Sequence, residues 1–172
     1  MTIKSNGSVY VVVVVAVLAG YFTYQGWFNP RRAIKRQLGE LAATLSVPAE
    51  NPRDVERLAR IARLQKYFDP DVQVTLGGPA RVLTSRDALL GAAGSWNPPG
   101  GANVSFVDVQ VTLDSASTAH AYMTVEVESL DPAGGQPAFE TRDAMVELAK
   151  RDGAWVITAA EPTEAVQPPE SQ

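Results

Sequence analysis

The chain of 172 residues contains no cysteine and a single histidine. The lack of cysteine excludes a disulfide framework, a thiolate metal site, a cysteine nucleophile and a lipid-modified N-terminal cysteine. The single histidine excludes any site that needs two imidazoles. With 45% hydrophobic residues, 20% charged residues and a net charge of −4, the composition is typical of an ordinary folded chain. The length allows little more than one domain.

The N-terminal segment is uncharged and apolar. No charged residue lies between Lys4 and Arg31, and the most apolar part is residues 9–28. A helix of about 20 residues spans roughly 30 Å, which is the hydrocarbon thickness of a bilayer. Aromatic residues, which favour the headgroup boundary, cluster at its C-terminal end. We therefore expect residues 1–30 to be a transmembrane anchor that contacts the lipid bilayer through residues 9–28.

Two alternatives to a retained anchor remain open. Val17-Leu18-Ala19 before Gly20 is a passable signal-peptide cleavage site, although the uncharged run continues past it. A buried helix of a soluble domain is the other alternative. Four basic residues follow the apolar segment, whereas Lys4 alone precedes it. The positive-inside tendency therefore favours a single-pass membrane protein with its domain in the cytoplasm rather than in the periplasm or outside the cell.

Two helices are expected after the apolar segment. Ile34, Leu38, Leu41 and Leu45 form an apolar stripe, and Asn51-Pro52 marks the start of a second helix. Its expected buried face is Val55, Leu58, Ala59, Ile61, Ala62 and Gln65. The opposite face carries Arg53, Arg57, Arg60 and Arg63, which would lie in solvent or against anionic lipid headgroups.

The charge is distributed unevenly along the chain. Residues 31–68 hold nine Lys or Arg against four Asp or Glu, whereas residues 69–172 hold five against fifteen. Because the larger part would repel phosphate, the sequence predicts no nucleic-acid partner.

The second half predicts strands. A short strand at residues 72–76 and a helix capped by Ser85 precede long strands at about residues 103–114, 118–130, 136–150 and 154–160. This order is typical of an α+β fold, with a strongly curved antiparallel sheet wrapped on the helices. The apolar rows expected to face the helices are Val107, Val109, Val111 and Leu113; Ala121, Met123, Val125 and Val127; and Ala144, Val146 and Leu148. His120, Tyr122, Thr124, Glu126 and Glu128 would face outward, and residues 162–172 would form a disordered tail.

Four segments carry a resemblance to a known superfamily: residues 64–68, the turn and strand 69–74, the helix 85–90 and the closing 152–157. They resemble the nuclear transport factor 2-like (NTF2-like) superfamily, which includes SnoaL-like polyketide cyclases and ketosteroid isomerases. The resemblance covers about residues 35–161 and places the domain at residues 31–161. It implies a cystatin-like cone with a pocket between the concave sheet and the helices, and it implies a possible homodimer through the convex sheet face.

Six residues are the candidate ligand-binding set of that pocket. Tyr67, Phe68 and Trp96 would wall it, although packing in the core is the alternative, and Met123 lies in an apolar row that faces it. Glu140 and Arg142 would lie at its mouth, where the arginine would hold an anionic ligand or simply pair with the glutamate.

The remaining polar candidates are ordinary surface groups. His120 is expected at the surface, and Glu126 and Glu128 are expected in solvent, with acid–base work or a cation site as the alternative. The rows assigned to the deep cone hold no acid or histidine, so no catalytic residue, metal or cofactor is predicted.

The sequence therefore favours a membrane-anchored, non-catalytic module that binds a small apolar ligand or mediates protein assembly. The alternative is a SnoaL-like isomerase, cyclase or hydrolase that acts on a hydrophobic small molecule.

Overall fold

The computed structural model describes residues 29–49, 54–76, 81–129 and 137–163. The chain divides into two units, residues 1–33 and 34–172, and every described element except the first turn of α1 lies in the second. The helices of this domain are α1 (Pro30–Leu45), α2 (Asp54–Leu64) and α3 (Arg86–Ser95), and a 3-10 turn, Gln65–Tyr67, follows α2. Its strands are β1 (Phe68–Leu76), β2 (Arg81–Leu83), β3 (Ala102–Leu113), β4 (Thr118–Ser129), β5 (Ala138–Arg151) and β6 (Ala154–Pro162).

The described helices include none that is long and apolar enough to cross a bilayer. The predicted bilayer segment, residues 9–28, lies outside the described residues and stays a prediction. The same holds for the predicted tail from residue 164 onward. Strand β6 continues to Pro162, so the last strand ends two residues beyond the predicted end at residue 160.

Helix α1 begins where the sequence places it. The side-chain Oδ1 of Asn29 accepts the backbone N–H of Arg31 at 3.1 Å, which is a helix N-cap. Ile34, Leu38 and Leu41 are at most 3% exposed, so the predicted apolar stripe is confirmed as the buried face of this helix.

The six strands form one sheet in the order β2-β1-β6-β5-β4-β3. Strand β1 pairs with β6 in parallel, and every other pair is antiparallel. The expectation of a wholly antiparallel sheet is therefore wrong at one pair. Strands β3 to β6 are antiparallel neighbours in chain order, and β6, the last strand, lies beside β1 and runs in the same direction. Register shifts in three pairings bend the strands and curve the sheet.

The face of the sheet toward the helices, called here the inner face, carries the apolar rows. It joins the helices in one core cluster that includes Ile34, Leu38, Leu41, Leu64, Ala119, Ala121, Met123, Val146, Leu148, Trp155 and Ile157. The rows predicted for β4 and β5 are confirmed. The chain thus buries a single core between one sheet face and its helices, as a two-layer α+β domain must.

Strand β3 departs from the predicted alternation at one residue. Asp108 has a φ of 52°, and the register with β4 shifts between Val107 and Gln110. Val107 pairs with Thr124 of the polar row, whereas Val111 pairs with Ala121 of the inner row. The expectation that Val107 faces the core is therefore wrong, because the bulge places an extra residue in the strand and exchanges the two faces.

Helix α2 is turned opposite to the sequence expectation. Its buried residues are Arg60 and Leu64, whereas Val55 and Leu58 are 76% and 63% exposed. Periodicity shows that a helix has two unlike faces, but it does not show which face the fold covers. The C-terminal part of α2 makes the contact: Leu64 enters the core, and the Ile61 side chain packs so close to Gly94 of α3 that a Cβ there would lie 2.8 Å from its Cδ1.

Candidate functional site

The face of the sheet opposite the core, called here the outer face, is defined by cross-strand pairs, because directly paired residues point to the same side. It carries Gln110 and Thr112 of β3, His120, Tyr122 and Thr124 of β4, and Asp143, Met145 and Glu147 of β5. The predicted polar row of β4 is confirmed. Two large hydrophobic side chains stand on this face, Tyr122 at 45% exposure and Phe139 at 63%.

A cavity of about 320 Å³ lies at one end of the outer face. Its polar lining is Asp114, Thr118, His120, Tyr122, Glu147 and Thr158, and Met145 and Leu148 contribute apolar surface. The Nδ1 of His120 lies 2.8 Å from the Oδ1 of Asp114. The imidazole also meets the Tyr122 ring edge to face, with centroids 5.6 Å apart and planes at 81°. Both contacts fix the orientation of the histidine.

The turn between β3 and β4 positions the aspartate of this cavity. The backbone N–H of Asp114 donates to the Thr118 carbonyl at 3.0 Å. The Ser115 hydroxyl accepts the backbone N–H groups of Ser117 and Thr118 at 3.1 and 3.0 Å. A serine that bonds to the backbone of its own turn is a local signal for a tight reversal. Asp114 is thereby held next to the histidine on the neighbouring strand.

Carboxylates elsewhere on the outer face are bonded across the strands. The Thr124 hydroxyl donates to Asp143 Oδ1 at 2.8 Å, and the Ser105 hydroxyl donates to Glu126 Oε2 at 3.1 Å. Glu126 therefore points outward, as predicted, and is bonded to a hydroxyl of the neighbouring strand.

The six residues predicted to bind a ligand do not lie together. Three are in the core, two form an ion pair at the surface, and one stands apart from both groups. Tyr67, Phe68 and Met123 lie in the hydrophobic core at 3%, 8% and 4% exposure. Trp96 follows α3 and is 36% exposed. Glu140 and Arg142 form an exposed ion pair, with Nη2 and Nε of the arginine both 2.7 Å from Oε1 of the glutamate. The structure brings the first three together and the last two together, and a role in ligand binding stays a prediction for all six.

A larger cavity, of about 500 Å³, lies between the end of α1 and the start of β3. Backbone and small side chains, from Ser46 to Ala49 and from Gly100 to Asn103, form most of its wall, and Glu128 is the charged residue there. The Ser46 hydroxyl accepts the backbone N–H of Val104 at 2.9 Å, which ties the two elements together. Within the described ranges, no group of three or more potential metal ligands could hold a metal ion.

The sequence interpretation missed a buried carboxylate. Asp69, which the sequence analysis includes only as the start of the turn and strand 69–74, is 8% exposed. Its Oδ1 accepts the backbone N–H of Asp71 at 3.1 Å, and its Oδ2 lies 3.0 Å from Nε of Arg151. The bond from Asp71, followed by the bond and charge of Arg151 and the charge of Arg86, lowers the pKa of this carboxyl against the opposing effect of its burial. Asp69 is therefore held in the ionised form.

Comparison with solved structures gives the same fold at low sequence identity. The association domain of CaMKII from Caenorhabditis elegans superposes with a TM-score of 0.63 at 11% identity, covering 81% of this chain and 99% of that one. A putative scytalone dehydratase from Novosphingobium aromaticivorans superposes with a TM-score of 0.60 at 19% identity, covering 77% of this chain and 83% of that one. An NTF2-like protein with a cystatin-like fold from the same organism superposes with a TM-score of 0.54 at 12% identity, covering 74% of this chain and 79% of that one.

No family model matches the sequence, and no curated protein matches it. The solved structures define the class: the domain has the NTF2-like, cystatin-like α+β fold, as the sequence predicts. Because one fold hosts unrelated activities, this likeness does not choose between the association domain and the putative dehydratase.

Proposed function

We propose that this domain is a non-catalytic assembly module that self-associates through the outer face of its sheet. The observation that carries the proposal is the position of Tyr122. It stands 45% exposed on a hydrogen-bonded strand, next to Met145 on the paired strand. Tyrosine is enriched at interface hot spots because it buries a large apolar ring while its hydroxyl keeps a polar partner.

The composition around Tyr122 fits the centre of an interface. Tyr122 pairs with Gln110 of β3 on one side and with Met145 of β5 on the other, and neither partner is charged. Charged groups begin at the next outer-face positions of β5, Asp143 and Glu147, and Glu126 and Glu128 lie further along β4. A centre poor in charge with a polar rim is the usual arrangement of protein interfaces. In a twofold dimer the same patch would contact itself.

The acidic rim gives the proposed dimer a distinct salt dependence. Two copies that meet face to face would bring like charges near one another, and dissolved ions screen such repulsion over about 10 Å at 0.1 M salt. The association should therefore strengthen as salt rises. A contact that depended on opposite charges would weaken instead.

The state of Asp69 supports a non-catalytic reading. A general acid or base works best with a pKa near the operating pH. The buried carboxyl of Asp69 has a lowered pKa, and both of its oxygens accept structural hydrogen bonds. The enzymatic alternative, a SnoaL-like isomerase, cyclase or hydrolase, would have to use another group.

The membrane location belongs to the same proposal. An anchor at residues 9–28 would hold the modules in one plane, and the basic residues after it favour the cytoplasmic side. Confinement to a membrane raises the local concentration, so that a weak contact between outer faces would suffice for assembly.

The test is sedimentation equilibrium of the full chain in a non-ionic detergent. We expect the wild type to dimerise, and we expect Tyr122→Glu to weaken the dimer by about tenfold or more, because it places a charge at the interface centre. Leu58→Glu is the matched control, since Leu58 is an exposed large apolar residue, at 63%, that lies on α2 and not on the outer face. A monomeric wild type, or a dimer that only Leu58→Glu disrupts, would contradict the proposal.

A further inference from the structure

A third cavity in the domain is lined by arginines. Its volume is about 280 Å³, and it lies between the end of α1 and helix α2. Arg57, Arg60 and Arg63 line it from α2, together with Glu56. The other wall is Ala43, Thr44, Ser46 and Pro48. The lining thus holds three guanidinium groups and one carboxylate, and a second carboxylate, that of Asp54, pairs with Arg57.

Arg60 is the most unusual of the three arginines. The residue is only 9% exposed, and its Nη1 is buried without a hydrogen-bond partner in the described part of the chain. A buried charge without a partner is strongly unfavourable, and such groups in folded proteins ordinarily have one. Burial, followed by the charge of Arg57, lowers the pKa of Arg60 from its ordinary value. The domain thus keeps an unsatisfied donor at the wall of a cavity.

The neighbouring polar groups do not satisfy this donor. Arg57 pairs with Asp54 at 2.9 Å, and Nε of Arg63 donates to the Ala59 carbonyl at 3.2 Å. The hydroxyls of Thr44 and Ser46 donate to carbonyls of their own helix, at Glu40 and Ala42. Nη1 of Arg60 therefore has no acceptor among the described groups that line the cavity.

We propose that this cavity binds a phosphate monoester group. A guanidinium presents its donors as a planar fork that matches two phosphate oxygens, and the bond is strengthened by charge. A phosphate monoester carries about one and a half to two negative charges at neutral pH and three acceptor oxygens, so it can accept hydrogen bonds from Arg60 and from a neighbouring arginine at the same time.

Two sources could present this group, a soluble phosphate monoester or the headgroup of an acidic lipid. Both offer the same oxygens to Arg57, Arg60 and Arg63, so the site is defined by the chemistry of the group. The site is separate from the outer face of the sheet, because no residue of one lines the other. The assembly proposal therefore stands or falls independently.

The test is isothermal titration calorimetry of the full chain with inorganic phosphate and with phenyl phosphate. We expect saturable binding by the wild type and a loss of about tenfold or more in affinity for Arg60→Met, which removes the buried donor and keeps most of the side-chain volume. Arg36→Met is the matched control, because the Arg36 side chain is 80% exposed and lies outside the cavity lining.

A thermal measurement keeps the test decisive if a variant is altered in stability. Without phosphate, Arg60→Met should melt higher than the wild type, because it removes an unpaired buried charge. When phosphate is added, the melting temperature should rise for the wild type and for Arg36→Met, but not for Arg60→Met. Phosphate binding that survives in Arg60→Met, or no binding by the wild type, would overturn the proposal.

Vesicles distinguish the two sources. If phosphatidic acid in phosphatidylcholine vesicles displaces phenyl phosphate from the wild type, and phosphatidylcholine alone does not, the natural ligand class is the lipid headgroup. If neither vesicle displaces it, a soluble phosphate monoester is the ligand class.

Discussion

Asp69 shows what a single residue contributes to this fold and why the sequence does not reveal it. An aspartate before a proline is an ordinary end to a helix, and nothing nearby marks it as buried. Its partner Arg151 lies 82 positions away, so the pair exists only after β5 is in place. Arg60 was expected in solvent or against lipid headgroups and is buried instead, since the burial of one helix face depends on its neighbours.

Asp69→Asn tests the ionised state of that carboxyl. Because the folded-state pKa is lowered, the ionised carboxylate stabilises the native state above the ordinary aspartate pKa of about 3.9, and this contribution disappears as the pH falls through the lower folded-state value. We expect the variant to unfold about 1–2 kcal/mol more easily at neutral pH, a range reduced because the Arg151 side chain is 60% exposed.

The difference between wild type and Asp69→Asn should shrink as urea unfolding is measured at pH values falling below about 4. Asp71→Asn is the control, because residue 71 contributes its backbone N–H to Asp69 and keeps it in the variant. A difference that stays constant from neutral to acid pH would show that the carboxyl is not ionised in the folded protein.

At the scale of the elements, local chemistry predicted the starts of helices better than the faces they present. Ser85 caps α3 as expected, accepting the backbone N–H of Ala88 at 3.2 Å. The alternation of β4 and β5 also predicted their inner rows. The bulge at Asp108 was not predictable from alternation, because the residues on both sides continue the same pattern. The face of α2 was not predictable either, since its contact with α3 depends on tertiary packing.

Gly101 lies just before β3, where the chain packs against the segment that follows α1, and there is no space for a side chain at this position. Its φ is +81°, and a Cβ there would lie 2.6 Å from the Val47 carbonyl oxygen and 2.7 Å from the Ala49 nitrogen. The bridge between Val47 and Ala102 depends on this close approach. We expect Gly101→Ala to lower the free energy of unfolding by about 2 kcal/mol or more, because the backbone must shift as well as strain.

Gly39→Ala is the control for Gly101→Ala. Gly39 lies inside α1 with nothing within 4 Å of an added Cβ. Alanine should therefore raise the free energy of unfolding by about 0.5–1 kcal/mol through helix propensity. Urea unfolding of both variants measures whether the free energy of unfolding falls for Gly101→Ala and rises for Gly39→Ala. Equal effects at the two positions would contradict the account of the junction.

At the scale of the whole molecule, the order of elements predicted an α+β fold with a curved sheet, and the resemblance of four segments implied the NTF2-like form of it. Neither of them gave the whole strand pairing. They could not predict the parallel pairing of β1 with β6, because that pairing joins the two ends of the domain. They also could not choose between a ligand pocket and a packed core for Tyr67, Phe68 and Met123. Aromatic and sulfur side chains suit both environments, and the structure places these three in the core.

The same scale carries the central claim, that two copies meet through the outer face. The chain has no cysteine, so a spin label attached to a single introduced cysteine reports on one position only. Thr124 lies on the outer face beside Tyr122, and Arg142 lies on the exposed end of the inner row, paired with Val125.

The most direct measurement is the dipolar coupling between spin labels in the dimer of full-length Thr124→Cys, with Arg142→Cys as the comparison. If the outer faces meet, the label at 124 should give a single short distance distribution, and the label at 142 a longer one. A longer distance from position 124 than from position 142, or no coupling from either, would contradict assembly through the outer face.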